Sequence, residues 1–203
     1  MAPRADEGKA KSGGRDRILR AAYDLFCRFG TRAVGVDTVV AEANVAKMTL
    51  YRHFATKDDL ILATLARREE LWTREWLQDE VKRRTSTPAE RMLAIFDVFG
   101  EWFERGDLEG CTFINTMIEF EDIAHPVRLA SVQYLANIRS FLSELAAAAG
   151  VEDPDALARK WHILMKGSII SAMEGDRMAA RRAREIGELL IARYAQPVPE
   201  GAA

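Results

Sequence analysis

The sequence predicts an all-α protein of about nine helices. Apolar residues recur every three or four positions along most of the chain, and strand-like alternation of apolar and polar residues is absent. Glycine and proline residues stand between these periodic stretches, where loops are expected. With 203 residues, 48% of them hydrophobic, the chain can bury one large core or two small ones, which excludes disorder throughout.

Composition also bears on where the protein works. No uninterrupted apolar stretch approaches the ~20 residues that span a bilayer, and the N-terminus lacks the apolar region of a secretory signal. Two cysteines, Cys27 and Cys111, provide no framework of disulfides and fit a reducing compartment. We therefore expect a cytoplasmic protein without a membrane partner.

The formal net charge of -2 hides a difference between the two parts of the chain. Residues 1–57 hold eleven Lys and Arg against six Asp and Glu, a balance of +5, and residues 58–203 hold eighteen against twenty-five, a balance of -7. A basic module facing nucleic acid, joined to an acidic module, is one interpretation. A chance distribution of surface charge is the other, and composition alone leaves both open.

The N-terminal quarter is predicted to hold three helices. Residues 1–13 lack an apolar anchor and are expected to form a disordered basic arm. Helix 1 runs from about Arg15 to Phe29 and ends at Gly30. Helix 2 follows Gly35, and helix 3 covers roughly Lys47 to His53. The apolar faces of the first two helices comprise Ile18, Ala22, Leu25, Phe26 and Phe29, then Val36, Val39, Val40 and Ala43.

The remaining six helices are predicted from their start and stop signals. Helix 4 begins at Thr56, where "TKDD" forms a capping box with Asp59, and continues to about Arg84. Helix 5 begins at Thr87-Pro88, a short helix follows the loop 106–110, and Pro126 opens helix 7, which Gly150 ends. The sequence "DPDA" at 153–156 starts helix 8, and helix 9 runs from beyond Gly175 to about Ala195. The tail 197–203 is expected to be flexible.

The stretch "ANVAKMTLYRHFATK", residues 43–57, has the pattern of a helix-turn-helix. Two short helices meet at Asn44, which tolerates the left-handed conformation of a tight turn, and Leu50 and Phe54 face inward. The other side of helix 3 is then free to enter a major groove of DNA. The residues expected to contact DNA are Lys47, Met48, Thr49, Tyr51, Arg52 and Lys57. An amphipathic helix end without DNA contact is the alternative, and for His53 alone a packing role is favoured.

The longer stretch "VDTVVAEANVAKMTLYRHFATKDDLI" resembles the helix-turn-helix of the TetR-type (AcrR-type) bacterial transcriptional regulators. The positions that match that family's pattern are Ala43, Val45, Thr49, Leu50, Tyr51, His53, Phe54, Lys57 and Leu60. The segments "EFEDIAHPVR" and "LARKWHILMKGSIISAM" are similar to the C-terminal domain of one branch. The resemblance implies an N-terminal three-helix DNA-binding domain, residues 14–57, and an α-helical ligand-binding and dimerisation domain, residues 58–196, in the bacterial cytoplasm.

Four positions depart from the family pattern. The family usually has glycine at Asn44, serine at Ala46, a small residue at Met48 and often a hydroxyl residue at Gly35. Without a hydroxyl, Ala46 loses a helix cap of ~1 kcal/mol and a phosphate contact. We expect a weaker intrinsic DNA affinity, or compensation by Lys47 and the basic arm. Met48 adds an apolar tip that can touch a thymine methyl.

The acidic part of the chain contains more aromatic residues than a minimal core requires. The resemblance implies an effector pocket between helix 4 and helix 8, and the aromatic residues indicate a cavity for an apolar or aromatic ligand. Ordinary core packing is the alternative for each of them. The candidate pocket residues are Trp72, Phe96, Phe99, Trp102, Phe103, Phe113, Met117, Phe120, Trp161 and Met165.

Helix 8 is apolar nearly all round, so one of its faces is expected to meet a second copy of the chain. Small residues there would allow another helix to approach closely in a two-fold four-helix interface. The alternative is a single central core helix. The candidate interface residues are Gly167, Ser168, Ser171, Ala172, Ile186, Leu189 and Leu190.

No metal or cofactor is expected. The segment "EFEDIAH" and His162 could in principle supply metal ligands, but the spacing is not diagnostic and Pro126 interrupts the helix. Helix capping and solvation explain these residues better. If a metal binds, Glu119, His125 and His162 are the first candidates.

These observations lead us to expect a homodimeric repressor that binds a palindromic operator and leaves it when a small, largely apolar effector binds. An enzyme is disfavoured because the chain has no G-x-S-x-G, phosphate loop, paired thiols or H-E-x-x-H, and its three histidines are scattered. A helical small-molecule-binding protein whose DNA contact is lost or secondary is the alternative. It predicts behaviour insensitive to salt, whereas DNA binding predicts steep salt dependence.

Overall fold

The computed structural model describes residues 13–106 and 108–195, and these residues form helices and loops without a strand. The predicted basic arm, apart from Gly13, and the predicted tail lie outside the described residues. The uninterrupted helical stretch from Lys57 to Arg84 counts as one helix, so the described residues contain nine helices. The predicted all-α fold is therefore confirmed.

We number the helices α1 to α9 in chain order. Helix α4 has two parts in the α conformation, Lys57–Arg68 and Asp79–Arg84, and between them a π-helical part, Glu69–Gln78. A single regular helix is predicted over this stretch, so the π-helical part is a correction. The other helices are α1 (Gly14–Phe29), α2 (Val36–Glu42), α3 (Lys47–His53), α5 (Pro88–Glu104), α6 (Thr112–Glu119), α7 (Pro126–Ala148), α8 (Pro154–Met173) and α9 (Ala179–Ala195).

The helix caps predicted from the sequence are present. At the start of α4, Thr56 Oγ1 accepts a hydrogen bond from Asp59 N at 3.0 Å, and Asp59 Oδ2 accepts one from Thr56 N at 2.9 Å. At α8, Asp153 Oδ1 accepts from Ala156 N at 3.0 Å. Such caps satisfy backbone N–H groups that a helix start leaves without intrahelical partners. They explain why these two boundaries could be predicted closely.

The chain folds into two compact units. Among the described residues, the first unit comprises 13–76 with Cys111–Leu135, and the second comprises 77–106 and 108–110 with 136–195. In the first unit, α1, α2 and α3 pack together, and the beginning of α4 packs against α1 and α6. In the second unit, α9 packs against α5 and α8, and the end of α4 packs against α5.

Each unit has its own apolar core. Ile18, Ala22 and Leu50 are fully buried in the first unit. Phe29 is expected on the inner face of α1, but it is the last residue of that helix and 55% of it is exposed. The Arg28 guanidinium lies 5.1 Å from the centre of its ring. In the second unit, a Cβ at Gly187 would lie 2.7 Å from the Trp161 ring, so glycine lets α9 approach it closely. No described helix is both long and apolar enough to cross a membrane.

Candidate nucleic-acid interface

The turn between α2 and α3 is built around Asn44. Its φ of 50° is the only positive φ among the described residues other than glycine, and Val45 N donates to Val40 O at 3.3 Å across the turn. Asparagine adopts this left-handed conformation more readily than most residues with a side chain. Asn44 thus takes the place predicted for it, and its turn sets the direction of α3.

Helix α3 is held by two buried anchors on one side. Leu50 is fully buried and Phe54 nearly so, and the Arg15 guanidinium lies 5.2 Å from the centre of the Phe54 ring. Because residues four apart share a helix face, these anchors fix the rotation of α3 about its axis. The opposite face must then point away from the core.

The outward side of α3 carries the side chains expected to contact DNA. Met48 is 74% exposed and Tyr51 43% exposed, and Lys47 and Arg52 are also exposed. Thr49 is half-buried, as is Lys57, the first residue of α4. All six expected residues therefore keep at least part of their surface accessible.

Lys47 has a carboxylate partner on α2. Its Nζ lies 2.7 Å from Asp37 Oδ1, and both side chains are largely exposed. The hydrogen bond from Lys47 to Asp37, together with the charge of that carboxylate, raises the pKa of Lys47. In this state, a phosphate would have to compete with Asp37 for the amine.

The beginning of α3 lacks a side-chain cap. Ala46 occupies the N-cap position with φ -73° and ψ 144°, the extended conformation that capping residues adopt, but it offers no oxygen. The backbone is thus already arranged for a serine or threonine at this position. The absence of a cap agrees with the expectation drawn from the sequence.

His53 does not lie in the core. Its side chain is exposed, and its Nε2 would be 3.6 Å from a Cβ placed on Gly14. The Thr49 methyl would be 3.1 Å from the same point. The packing role expected for His53 is therefore limited to contact with the start of α1.

A carboxylate from α6 closes the loop between α1 and α2. Glu119 Oε2 accepts hydrogen bonds from Thr31 N at 2.9 Å and Arg32 N at 3.1 Å, and also from the Thr31 hydroxyl. Gly30, with φ 83°, ends α1 beside this carboxylate, and a Cβ on Gly30 would collide with it. Glu119, one of the metal candidates, is thus engaged as a hydrogen-bond acceptor within the first unit.

The other two metal candidates also have different surroundings. His125 Nε2 lies 3.4 Å from Asp58 Oδ2, and its ring packs on Phe120 at 4.5 Å between centroids. His162 belongs to the second unit, where burial, with smaller effects of Lys166 and Arg139, lowers its pKa to about 3. The described residues contain no group of three His, Cys, Asp or Glu side chains placed to hold a metal.

The expected pocket residues divide between the two units. Six belong to the second unit; they are Phe96, Phe99, Trp102, Phe103, Trp161 and Met165. The ring centroids of Phe96 and Trp161 are 5.3 Å apart, and those of Phe99 and Trp102 are 5.6 Å apart. All six are buried except Phe103, which is half-buried. The other four belong to the first unit; they are Trp72 and Phe113, both buried, and Met117 and Phe120, both half-buried.

One open groove of about 470 Å³ lies in the second unit between α7 and α8. It contains none of the ten expected pocket residues, and six of its eight lining residues are polar or charged. The residues that line it are Ala136, Arg139, Ser140, Ser143, Glu144, Ala147, Asp155 and Arg159.

The expected interface residues differ in exposure. Leu189 is 71% exposed, Ile186 and Gly167 are also exposed, and Ser171, Ala172 and Leu190 are half-buried. Ser168 is buried, and its hydroxyl donates to Met165 O at 2.9 Å within its own helix. Its side chain is therefore not available to a second subunit.

The sequence pattern does not single out Asp37 or Arg68. Asp37 is one of several acidic residues, and its pairing with Lys47 depends on the turn at Asn44. In the sequence Arg68 looks like any arginine within a long helix, yet it is buried and donates a hydrogen bond to Tyr23 Oη at 3.0 Å. The one sequence signal for an unpaired Arg68 is that no acidic residue stands three or four positions before it.

Comparison with known proteins identifies the family. A family model described as bacterial regulatory proteins of the tetR family matches residues 18–64, and one described as a tetracyclin repressor-like C-terminal domain matches residues 88–186. The chain belongs to the TetR family. Within it, the matched N-terminal part includes the whole helix-turn-helix described above, so the chain is a DNA-binding transcriptional regulator.

Individual relatives agree with this family. The chain is 26% identical over 185 residues to the HTH-type transcriptional repressor Rv3405c of Mycobacterium tuberculosis, covering 87% of this chain and 90% of that protein. It is 23% identical to the HTH-type transcriptional regulator YjdC of Escherichia coli, covering 76% of this chain and 81% of that protein. Among solved structures, SCO4454, a TetR-family transcriptional regulator from Streptomyces coelicolor, has a TM-score of 0.82 at 27% identity, covering 93% of both chains.

Proposed function

We propose that this TetR-family chain is a repressor that binds a palindromic operator as a homodimer and is released by a small, largely apolar effector. The observation that carries the proposal is the outward face of α3, where Met48, Tyr51 and Arg52 are exposed while Leu50 and Phe54 hold the helix. In this proposal, residues 14–57 contact DNA, and residues 58–196 bind the effector and the second copy. The chain has no enzymatic role in it.

Contacts to bases and to phosphates come from different residues. Tyr51, Arg52 and Thr49 face the base edges of the major groove, and Met48 lies against a thymine methyl. Lys57, at the N-terminus of α4, contacts a phosphate together with backbone N–H groups of that helix. Lys47 reaches a second phosphate when it leaves Asp37.

Exposed apolar side chains on α8 and α9 support the homodimer. Ile163, Ile170 and Met173 are exposed on α8, and Ile186 and Leu189 are exposed on α9. Their spacing of three and seven residues places them in a stripe along each helix. Two such helices from each copy would bury the stripes around a two-fold axis. Two copies of α3 about 34 Å apart would then match successive major grooves.

Release requires a connection between the effector site and α3, and contacts within the first unit support one. Glu119 joins α6 to the loop before α2, and His125 joins the segment after α6 to Asp58 in the first turn of α4. An effector that displaces α6 would pull on both contacts and reorient the helix-turn-helix. A coupling of about 1–3 kcal/mol is enough for a 5- to 150-fold loss of DNA affinity.

Selection of bound sequences from a pool of random duplexes tests this proposal. We expect the wild-type chain to enrich a palindrome and its affinity to fall steeply with salt. Tyr51→Ala and Arg52→Ala should each lose about 10-fold or more in affinity for that palindrome. Arg159→Ala, which removes an exposed arginine of α8 paired with Asp155, is the matched control and should bind like wild type.

Two results would contradict the proposal. One is a lack of enrichment at low ionic strength. The other is enrichment that Tyr51→Ala and Arg52→Ala leave unchanged. Sedimentation of Leu189→Glu, which places a charge in the exposed stripe of α9, tests the dimer separately, because a monomer is expected.

A further inference from the structure

Arg68 is a buried cation at the point where α4 changes from the α to the π conformation. Only 8% of the residue is exposed. Its Nη1 donates a hydrogen bond to Tyr23 Oη at 3.0 Å, and its guanidinium lies 5.3 Å from the centre of the Trp72 ring. The group is thus enclosed by side chains of α1 and α4 within the first unit.

No carboxylate of the described residues pairs with Arg68. Its neighbour Glu69 instead lies 3.9 Å from Arg74 Nε. Burial acts to lower the pKa of Arg68, but Tyr23, Cys27 and Cys111 act in the opposite direction, and the net shift is upward. Burial raises the pKa of the Tyr23 phenol, so this group is uncharged at neutral pH. The arginine keeps its proton, so its positive charge has no carboxylate counter-charge among the described residues.

A buried guanidinium without a counter-charge is unusual. Buried charges in proteins are normally paired, because removing a charge from water is costly. The guanidinium also presents five N–H donors in a planar fork, and described residues accept a hydrogen bond from one of its nitrogens. This fork matches the two oxygens of a carboxylate.

A second buried polar group lies one π-helical turn further along α4. Thr73 is 1% exposed, and its hydroxyl has no hydrogen-bond partner among the described residues. In a π-helix, backbone hydrogen bonds join residues five apart, so residues 68 and 73 follow one another along the same side. Arg68, with one described hydrogen bond for its five donors, and Thr73, whose hydroxyl has none, thus lie on consecutive turns of one buried side of α4. Such π-helical turns are frequent at functional sites.

We propose that Arg68 is the anion-binding group of the effector site, and that the effector is an organic monoanion whose carboxylate pairs with this guanidinium while its apolar body lies beside Trp72. The inference rests on the proposed function, in which a small molecule controls DNA binding. A phosphate monoester carries up to two charges at neutral pH, and one guanidinium would balance only one of them. A single carboxylate is therefore the better match.

The position of Arg68 would let such a ligand act on the helix-turn-helix. Tyr23, its hydrogen-bond partner, lies on α1, and Cys27 one turn later accepts a hydrogen bond from Thr112 Oγ1 at 3.5 Å. Thr112 begins α6, the helix that ends with Glu119. A carboxylate that draws Arg68 away from Tyr23 would therefore change the contact between α1 and α6. Through Glu119, α6 in turn holds the α1–α2 loop.

Thermal unfolding of the full chain with matched probes tests the proposal. The probes are benzoate, phenylacetate and 1-naphthoate, each compared with its neutral primary amide at the same concentration. We expect at least one carboxylate to raise Tm by about 3 °C or more and its amide to leave Tm unchanged. Arg68→Met should abolish this rise while its own Tm equals or exceeds that of wild type, because an uncompensated buried charge has been removed.

Three further variants make the result decisive. Arg84→Met removes an arginine of the second unit that is paired with Glu80 and Glu101, so it should lower Tm and keep the carboxylate effect. Arg68→Lys retains the charge but not the fork, so it should bind the carboxylate about 10-fold more weakly; this variant replaces Arg68→Met if the latter does not fold. Thr73→Val should weaken binding in the same direction.

The proposal is overturned if no carboxylate raises Tm, if amides and carboxylates act equally, or if Arg68→Met and Arg68→Lys bind the carboxylate as wild type does. DNA binding measured without ligand keeps the two proposals apart. If wild type and Arg68→Met both bind an operator but no carboxylate raises Tm, the anion site is disproved and the proposed regulator is not. If a carboxylate raises Tm through Arg68 but no duplex binds, the proposed regulator is disproved and the anion site is not.

Discussion

The outward face of α3 and the surroundings of Arg68 both present an arginine without a carboxylate partner among the described residues, yet the two mean different things. Arg52 on α3 is exposed, so water solvates its guanidinium at little cost. Arg68 is buried beside Tyr23 and Trp72, where water cannot do so. An unpaired charge at the surface is informative only as part of a pattern, whereas a buried one is informative by itself.

His162 shows a third way of placing a basic side chain. It is 3% exposed in the second unit, and burial together with nearby Lys166 and Arg139 lowers its pKa to about 3. It is therefore neutral at physiological pH. Arginine cannot respond to burial in this way, because its guanidinium does not lose its proton in proteins. This contrast is why Arg68, and not His162, carries an inference about an anionic ligand.

The largest expected effect tests whether the two faces of α3 have separate roles. Leu50→Ala removes a fully buried side chain and should lower the free energy of unfolding by about 2–5 kcal/mol. Met48→Ala, on the exposed face, should leave stability within about 0.5 kcal/mol of wild type and weaken operator binding. Urea unfolding and duplex binding measure the two effects. Equal destabilisation by both variants would mean that α3 has no free face.

The next effect concerns His162 and pH. Below pH 6.5 His162 binds a proton in the unfolded chain, whereas in the folded chain it does so only near pH 3. The free energy of unfolding therefore falls as pH falls through this window. At pH 4.5 the difference amounts to about 2–3 kcal/mol. His162→Leu should therefore lose about that much less stability than wild type between pH 7 and 4.5 in urea unfolding. His53→Leu, an exposed control, should follow wild type, and identical pH profiles for all three chains would disprove the effect.

Features determined by nearby residues could be predicted from the sequence. The turn at Asn44, the cap formed by Thr56 and Asp59, and the inward direction of Leu50 and Phe54 all follow from residues within a few positions of one another. Local dihedral preferences and helix periodicity are sufficient for such features.

Features that join distant parts of the chain could not be predicted. Arg68 meets Tyr23 across 45 positions, and Glu119 meets Thr31 across 88. Nothing in the periodicity of α4 shows that it widens after Arg68, because Leu65, Trp72 and Trp76 recur at seven and four residues, the spacing of an ordinary α-helix. The same limit applies to Glu119, for which the sequence favours capping or solvation over metal binding, because its partners are backbone N–H groups and a hydroxyl of a distant loop.

A moderate effect is expected where α6 holds the α1–α2 loop. Glu119→Gln keeps the shape of the side chain but replaces charge-assisted hydrogen bonds to Thr31 and Arg32 by weaker ones. The free energy of unfolding should fall by about 1–2 kcal/mol in urea unfolding. Glu121→Gln, two residues away and exposed, is the control and should not change it. If both variants matched wild type, Glu119 would be only a surface residue in contact with the loop.

A smaller effect should come from restoring the cap of α3. Ala46 already has the extended conformation of a capping residue, so Ala46→Ser can place a hydroxyl oxygen near the first free N–H groups without moving the backbone. Stability should rise by about 0.5–1 kcal/mol, and operator affinity should rise with it. Ala55→Ser, in the exposed loop after α3, is the matched control. A gain with Ala55→Ser alone would show that the cap of α3 is not the cause.

The smallest effect, in DNA affinity, concerns the salt bridge between Asp37 and Lys47. Asp37→Asn removes the partner that holds the Lys47 amine and also removes a negative charge close to where phosphates would lie. Both changes favour DNA, so the operator Kd should fall by about 2- to 5-fold at low salt, with a smaller difference at high salt. Glu42→Gln, at the other end of α2, is the control for charge alone. If Asp37→Asn instead weakened binding, Asp37 would be positioning Lys47 for DNA rather than competing for it.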